Sequence, residues 1–370
     1  MPLFTDLARS LPATVPFVGP EALERRMGLK FRARLGANES VFGPSPAVVE
    51  AMARAAHDSW AYGDPEQYDL KRAIAAHHGI EPENIAVGEG IDGLLGHLVH
   101  LATDPGDTVV TSLGAYPTFN YHVAGHGARL DFVPYRADDH EDLEALIERA
   151  KAVRPKLLYF ANPDNPTGSW HDAAAVERLI DDIPEETILV LDEAYSDLAP
   201  EGSLPPIDLM RPNLLRFRTF SKAYGMAGVR VAYVVGEPGS VSQFDKVRNH
   251  FGVSRIAQAA AIAALADQAY LQNAIKQIAG AREELGAIAR RANMTPLTSA
   301  TNFVAIDCGG DGTYARELLA AVLTRGVFIR MPGVAPLDRM IRVSVGRPED
   351  LALFEDALFG AIDEVGRPAG

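Results

Sequence analysis

Between residues 85 and 235, seven short apolar runs alternate with longer segments of helical period. The runs fall at 85–87, 108–111, 130–133, 157–160, 188–191, 215–217 and 231–235. Each is three to five residues long, too short for a helix of its own, and most are nearly continuous in apolar residues, with Asp131 and Arg216 the charged exceptions and threonines at both ends of 108–111. Such runs suit strands buried on both faces, as in a parallel sheet. Helix candidates at 92–102, 140–153 and 172–182 lie between them. In the second, Leu143, Leu146, Ile147, Ala150 and Val153 form one stripe. Asp172 is placed to cap the third. The alternation predicts an α/β fold: a mostly parallel sheet with helices on both faces.

The flanks have a different texture. Residues 1–35 are broken by prolines and glycines and predict an irregular arm packing with the C-terminal part of the chain. Ser45-Pro46 pairs a capping hydroxyl with a proline at the first helical position. The helix it opens has Val49, Met52, Ala53 and Ala56 as its apolar positions. An Ala-rich helical stretch covers 254–292. Strand candidates follow at 303–306, 327–329 and 341–344, and a last helix at 349–364. The expected division is an arm at 1–35, a large domain at 36–245 and a smaller α+β domain at 246–370.

Charge narrows the partners. The chain carries 35 Lys and Arg against 49 Asp and Glu, a net −14. Nucleic acid and anionic membrane both call for clustered positive charge, so neither is expected. A small anion is not excluded, because it responds to the local field. Cys308 is the one cysteine, the segment from Met1 to Ser10 has no signal-peptide pattern, and no run approaches a membrane span. These features fit a cytoplasmic protein. His97 with His100, and His122 with His126, stand at helical spacing. No H-E-x-x-H pattern accompanies them, so they are taken as packed or surface histidines and no metal is expected.

Four segments carry polar groups to strand ends. Gly88-Glu89-Gly90-Ile91-Asp92-Gly93 matches G-x-G-x-x-G between a strand and a helix. The next strand ends in Thr111-Ser112, without the acid that a dinucleotide site wants. What survives is a helix N-terminus with free amides, suited to a phosphate. Asn162-Pro163-Asp164-Asn165-Pro166-Thr167-Gly168 is a rigid loop at a strand end that leaves the Asn165 amide free to donate. Asp192-Glu193-Ala194-Tyr195 ends a buried strand, so Asp192 wants a cationic or hydrogen-bonding partner. Thr219-Phe220-Ser221-Lys222-Ala223-Tyr224-Gly225 leads to Arg230. Apolar neighbours of Lys222 would depress its pKa, as a Schiff-base amine requires.

N-P-x-N-P-T-G, D-E-A-Y and S-K-x-x-G-x-x-G-x-R, in this order and spacing, resemble the fold-type I pyridoxal-phosphate enzymes of the class I/II aminotransferase family. The resemblance runs from about residue 11 to 365 and lies nearest the histidinol-phosphate aminotransferase branch. It implies a ping-pong transaminase with pyridoxal 5'-phosphate, a small amino donor and a 2-oxo acid acceptor. Lys222 would be the catalytic Schiff-base lysine. Asp192 would pair with the pyridine nitrogen, Asn165 and Tyr195 would bond the ring oxygen, and Phe119 would stack on the ring. Thr219, Ser221 and Arg230, with the amides of Gly90, Ile91 and Asp92, would hold the phosphate. Tyr62 resembles the tyrosine that reaches a neighbour's phosphate, which implies a homodimer with shared sites. Arg342, helped by Arg330, would bind the substrate's acidic group.

The chain departs from that pattern in places. Ile91 and Gly93 stand where the family has a small residue and an acid. Phe17, in Val15-Pro16-Phe17, stands where the histidinol-phosphate branch commonly has a tyrosine, and the 331–336 stretch differs as well. An aromatic or other amino acid is therefore an alternative donor, and an amino-acid-phosphate decarboxylase an alternative reaction on the same scaffold. A cofactor-sensing regulator would need a DNA-binding extension, for which the motifs begin too near the N-terminus.

Overall fold

A computed structural model describes residues 3–13 and 17–368 of the chain; Val15 and Pro16 lie outside the described residues. It has twelve strands in chain order. They are β1 (Ala33–Arg34), β2 (Ile85–Gly88), β3 (Thr108–Ser112), β4 (Arg129–Val133), β5 (Leu157–Ala161), β6 (Ile188–Asp192), β7 (Leu214–Thr219), β8 (Ala232–Gly236), β9 (Thr295–Pro296), β10 (Phe303–Asp307), β11 (Val327–Phe328) and β12 (Met340–Ser344).

The seven apolar runs form one sheet, in the order β2-β8-β7-β6-β5-β3-β4. All neighbours are parallel except β8, which runs antiparallel to both β2 and β7. Side chains alternate between the two buried faces. Leu157, Tyr159, Val190, Leu215 and Phe217 pack with the helix Gly90–Ala102. Leu158, Phe160, Leu189 and Leu191 pack with the helices Leu143–Val153 and Ala173–Asp182. Asp142 and Asp172 cap those two helices, accepting from the amides of Ala145 and Ala175. A smaller antiparallel sheet, β12-β10-β9, forms further along the chain.

Several elements differ from expectation. The arm contains helices Asp6–Ser10 and Pro20–Met27. Its breakers are stop and start signals: Pro20 opens the second helix and Gly28 closes it in the left-handed conformation. β1, at the arm's end, pairs in parallel with β11, so 327–329 does not join the small sheet. The helix Pro46–Ala56 is capped by Ser45 as expected, but it buries Val48 and Ala51 and leaves Val49 half exposed. The Ala-rich stretch is two helices, Arg255–Ala266 and Gln268–Arg291. The break falls at Asp267, whose side chain caps the second helix at Tyr270. The helices Tyr68–His78, Pro117–Gly125 and Gly312–Thr324 lie outside the expected segments; that of Pro117–Gly125 has only a weak apolar stripe, which gives little period to detect.

Candidate active site

In an open α/β sheet, ligands gather at the carboxyl ends of the strands. The four motif segments follow β2, β5, β6 and β7. Arg230 precedes β8, and because β8 is antiparallel its N-terminal end lies on the same edge. The topology thus delivers all of them to one cavity of about 250 Å³. Ile91, Asp92, Asn165, Asp192, Tyr195, Thr219, Ser221, Lys222 and Arg230 line it.

Asp192 terminates β6 on the face shared with Val190 and is 6% exposed. Its Oδ2 accepts from the Tyr159 hydroxyl at 2.6 Å and its Oδ1 from the Ala194 amide at 2.9 Å. Burial raises its pKa, which the Tyr159 bond partly offsets. Its neighbour Glu193 points the other way, to a fully buried pairing with Arg216 at 2.6 Å and Arg218 at 2.8 Å.

Lys222 shares the cavity. Its Nζ donates to the Asn38 carbonyl at 3.3 Å and lies 5.6 Å from the Tyr195 ring centre. Burial first, and then the Arg342 charge, lower its pKa to about 8. At pH 7 roughly a tenth of the amine is then neutral, and the fraction grows as pH rises. The Tyr195 hydroxyl accepts from Asn38 Nδ2 at 2.9 Å, and burial raises its pKa.

An anion cradle completes the cavity. Gly90, Ile91 and Asp92 form the first turn of the Gly90–Ala102 helix, whose amides lack intrahelical partners. Gly90 has φ +87°, and a Cβ there would run into the Arg230 guanidinium, so only glycine admits that close approach. Thr219 donates to Ser221 across 2.9 Å beside it. The chemistry of this donor set fits pyridoxal phosphate: a buried carboxylate for a basic ring nitrogen, a half-buried amine of lowered pKa for an aldehyde, and a cradle for a phosphate.

Other expected site residues stand elsewhere. Phe119 does not line the cavity; it is wholly buried and stacks on Tyr159 with ring centres 4.6 Å apart. Tyr116, three residues earlier, lines the cavity in its place. Position along the Pro117–Gly125 helix decides this: Phe119 is already turned toward the sheet, while Tyr116 still precedes the helix. Tyr62 lies on the surface, 76% exposed, stacked on Phe251 with ring centres 4.4 Å apart. Arg342 donates to Asn165 Oδ1, which leaves the amide nitrogen of Asn165 free. Arg330 is bridged to Arg342 through backbone hydrogen bonds and lies 3.7 Å over Phe17, which lines the cavity. Burial and the Arg342 charge lower the Arg330 pKa to about 10. The Nε atoms of both arginines are buried without a hydrogen-bond partner among the described residues.

Asn38 is the main residue that the sequence did not single out. It binds Tyr195 through its side chain and Lys222 and Asn302 through its carbonyl, at a left-handed φ of 54°. Asparagine tolerates that conformation better than most residues. An Asn just after Gly36-Ala37 was the available signal.

The model of the family described as aminotransferase class I and II matches residues 33–358. The chain belongs to the class I and II aminotransferases. Two curated histidinol-phosphate aminotransferases are similar over nearly the whole length. That of Anaeromyxobacter sp. is 36% identical, covering 94% of this chain and 95% of its own. That of Moorella thermoacetica is 32% identical, covering 97% and 92%. The crystal structure of histidinol-phosphate aminotransferase from Sinorhizobium meliloti, in complex with pyridoxal-5'-phosphate, is 54% identical. It superposes with a TM-score of 0.96 over 99% of each chain. The aminotransferase fold thus accounts for the described sheet and its one functional edge.

Proposed function

We propose that this aminotransferase uses pyridoxal 5'-phosphate to move an amino group from histidinol phosphate to a 2-oxo acid. The observation that carries the reading is the half-buried Lys222 amine in one cavity with the Asp192 carboxylate and the Gly90–Arg230 cradle. When bound, the cofactor supplies an electron sink that makes the α-hydrogen of the amino donor acidic. Lys222 would hold the cofactor covalently, and its free amine would be the base that takes and returns that proton. Asp192 keeps the ring nitrogen protonated, and Tyr159 keeps Asp192 ionised. Asn165 and Tyr195 donate to the ring oxygen. Thr219, Ser221, Arg230 and the amides of Gly90, Ile91 and Asp92 bind the phosphate, remote from the bond being broken.

Arg342 and Arg330, joined through their backbones and set beside Asn165 and Phe17 of the cavity wall, bind the donor's anionic end. This favours a phosphorylated or carboxylated donor. Phe17 favours a second reading, an aromatic amino acid, because it gives the cavity wall an apolar ring with no hydroxyl. We further place the division between a large cofactor domain and a small domain near residue 245. The exposed Tyr62 and Trp60 support a homodimer in which Tyr62 reaches the partner's phosphate site. The single, buried Cys308 supports a cytoplasmic enzyme, and no described helix is long and apolar enough to cross a membrane.

A donor screen with the purified chain and pyridoxal phosphate tests the assignment, reading keto product. Turnover of histidinol phosphate well above phenylalanine is expected. The reverse order overturns the donor, and a Lys222→Ala variant with undiminished turnover overturns the mechanism.

A further inference from the structure

The cradle at the start of the Gly90–Ala102 helix contains a group that opposes it. Asp92, the third residue of the helix, lines the cavity and carries a carboxylate. A carboxylate at a helix N-terminus competes for the same free amides as a phosphate and repels it. Here it is engaged from outside. His122, on the Pro117–Gly125 helix, places Nε2 2.7 Å from Asp92 Oδ1. The ring lies close over Gly96, one turn beyond Asp92, where a Cβ would sit 3.0 Å from both Cε1 and Nδ1. On its own helix the ring meets Tyr121 edge-on, at 6.0 Å between centres. Glu89, on the other flank of Gly90, has His97 Nε2 3.6 Å away, beyond hydrogen-bond reach, so Asp92 is the loop acid that a histidine holds. Asp92 therefore has a histidine drawing its charge away from the cradle.

We propose that His122 is a positioning residue for the cofactor phosphate. Its N–H holds the Asp92 carboxylate toward the Pro117–Gly125 helix, which leaves the amides of the first turn to the phosphate. This rests on the cofactor reading above. It differs from a packing role for His122 in one respect: the liability is the Asp92 charge, so removing that charge makes His122 dispensable.

The test is equilibrium binding to the cofactor-stripped full chain, followed by the visible absorption band, with two probes: pyridoxal phosphate and pyridoxal, which has no phosphate. His122→Leu should weaken pyridoxal phosphate about tenfold, the scale of one hydrogen bond to a charged group, and leave pyridoxal nearly unchanged. Adding Asp92→Asn to that variant should restore binding nearly to the wild-type value, and His122→Gln, which keeps an N–H donor, should retain most of it. Unchanged binding in His122→Leu, equal loss for both probes, or no rescue by Asp92→Asn would each overturn the proposal. If His122→Leu does not fold, Asp92→Asn alone decides: it should bind pyridoxal phosphate at least as tightly as the wild type, and weaker binding overturns the proposal. A wild-type chain that binds neither probe would refute the cofactor reading itself.

Discussion

Replacing Tyr159 with phenylalanine removes one hydroxyl from the cavity floor and little else. The ring remains stacked on Phe119, and both residues are buried, so the packing around Asp192 is kept. What is lost is the 2.6 Å hydrogen bond to Asp192 Oδ2, leaving the Ala194 amide as its one remaining hydrogen bond. Burial holds the Tyr159 hydroxyl well above the usual phenol range, so in the wild type it stays a donor throughout the working range. A hydrogen bond to a charged acceptor is worth about 1.5–3 kcal/mol. At about 1.4 kcal/mol per pH unit, its loss moves the Asp192 titration by roughly one to two units. The direction follows from the cause. Burial has already raised this pKa, the Tyr159 bond opposes that rise, and the variant therefore ionises later still. If ionised Asp192 is needed, the acid limb of the kcat profile shifts upward by about one to two units while the plateau above it changes little. Stability supplies an independent reading. A carboxyl whose folded pKa lies above its unfolded value contributes stability that is complete below the unfolded pKa and is lost as pH rises through the folded one. Urea titrations of the cofactor-stripped variant should therefore show a larger deficit near neutral pH than near pH 4. A uniform fall in kcat at every pH, with the acid limb unmoved, would refute the electrostatic role of Tyr159.

Substitutions at four further positions probe the frame around the cavity. Gly90→Ala forces a side chain into the Arg230 guanidinium at a φ of +87° and should weaken pyridoxal phosphate at least about tenfold by spectroscopic titration. Arg230→Ala should reproduce that loss without adding to it in the double variant. Asn38→Gly and Asn38→Ala both remove the bond to Tyr195 and should lower kcat about tenfold. The alanine variant alone also bears the left-handed φ, about 1 kcal/mol by urea denaturation. Glu193→Gln leaves Arg216 and Arg218 without their shared counter-charge and should cost about 3–5 kcal/mol of stability.

Apolar pattern and turn chemistry made the main sheet legible, because its strands are buried on both faces and flanked by strong stop signals. The arm was less so. Its prolines and glycines read as breakers, although Pro20 and Gly28 are the ends of a helix. Val49 reads as part of the apolar face of a helix that buries Val48 instead, because two adjacent valines leave the packed one undecided until the neighbouring element is known. At the site, residues within dense motifs came together as expected, Lys222 with Asp192 and Arg230 among them. Phe119 failed because one aromatic can be exchanged for another three positions away when a helix begins between them. Asn38 was invisible for a different reason. It acts through a backbone carbonyl and a single amide, with partners at 195, 222 and 302 that only the fold brings near.

The Asp192-Glu193 pair shows how two adjacent like charges are kept buried side by side. Successive side chains along an extended segment face opposite ways. Asp192 therefore shares a face with Val190 and enters the cavity, while Glu193 shares a face with Leu191 and meets Arg216 and Arg218. The two carboxylates face opposite requirements. Glu193 has two guanidinium partners that keep its pKa below the usual range despite complete burial. Asp192 has only a hydroxyl and an amide, and burial leaves its pKa raised. A carboxylate short of counter-charge binds a cationic ring nitrogen more strongly than one already neutralised. If the asymmetry matters, then importing a cation to the Asp192 side, as Ala161→Lys would from the cavity wall, should weaken the cofactor while leaving the Glu193 cluster intact.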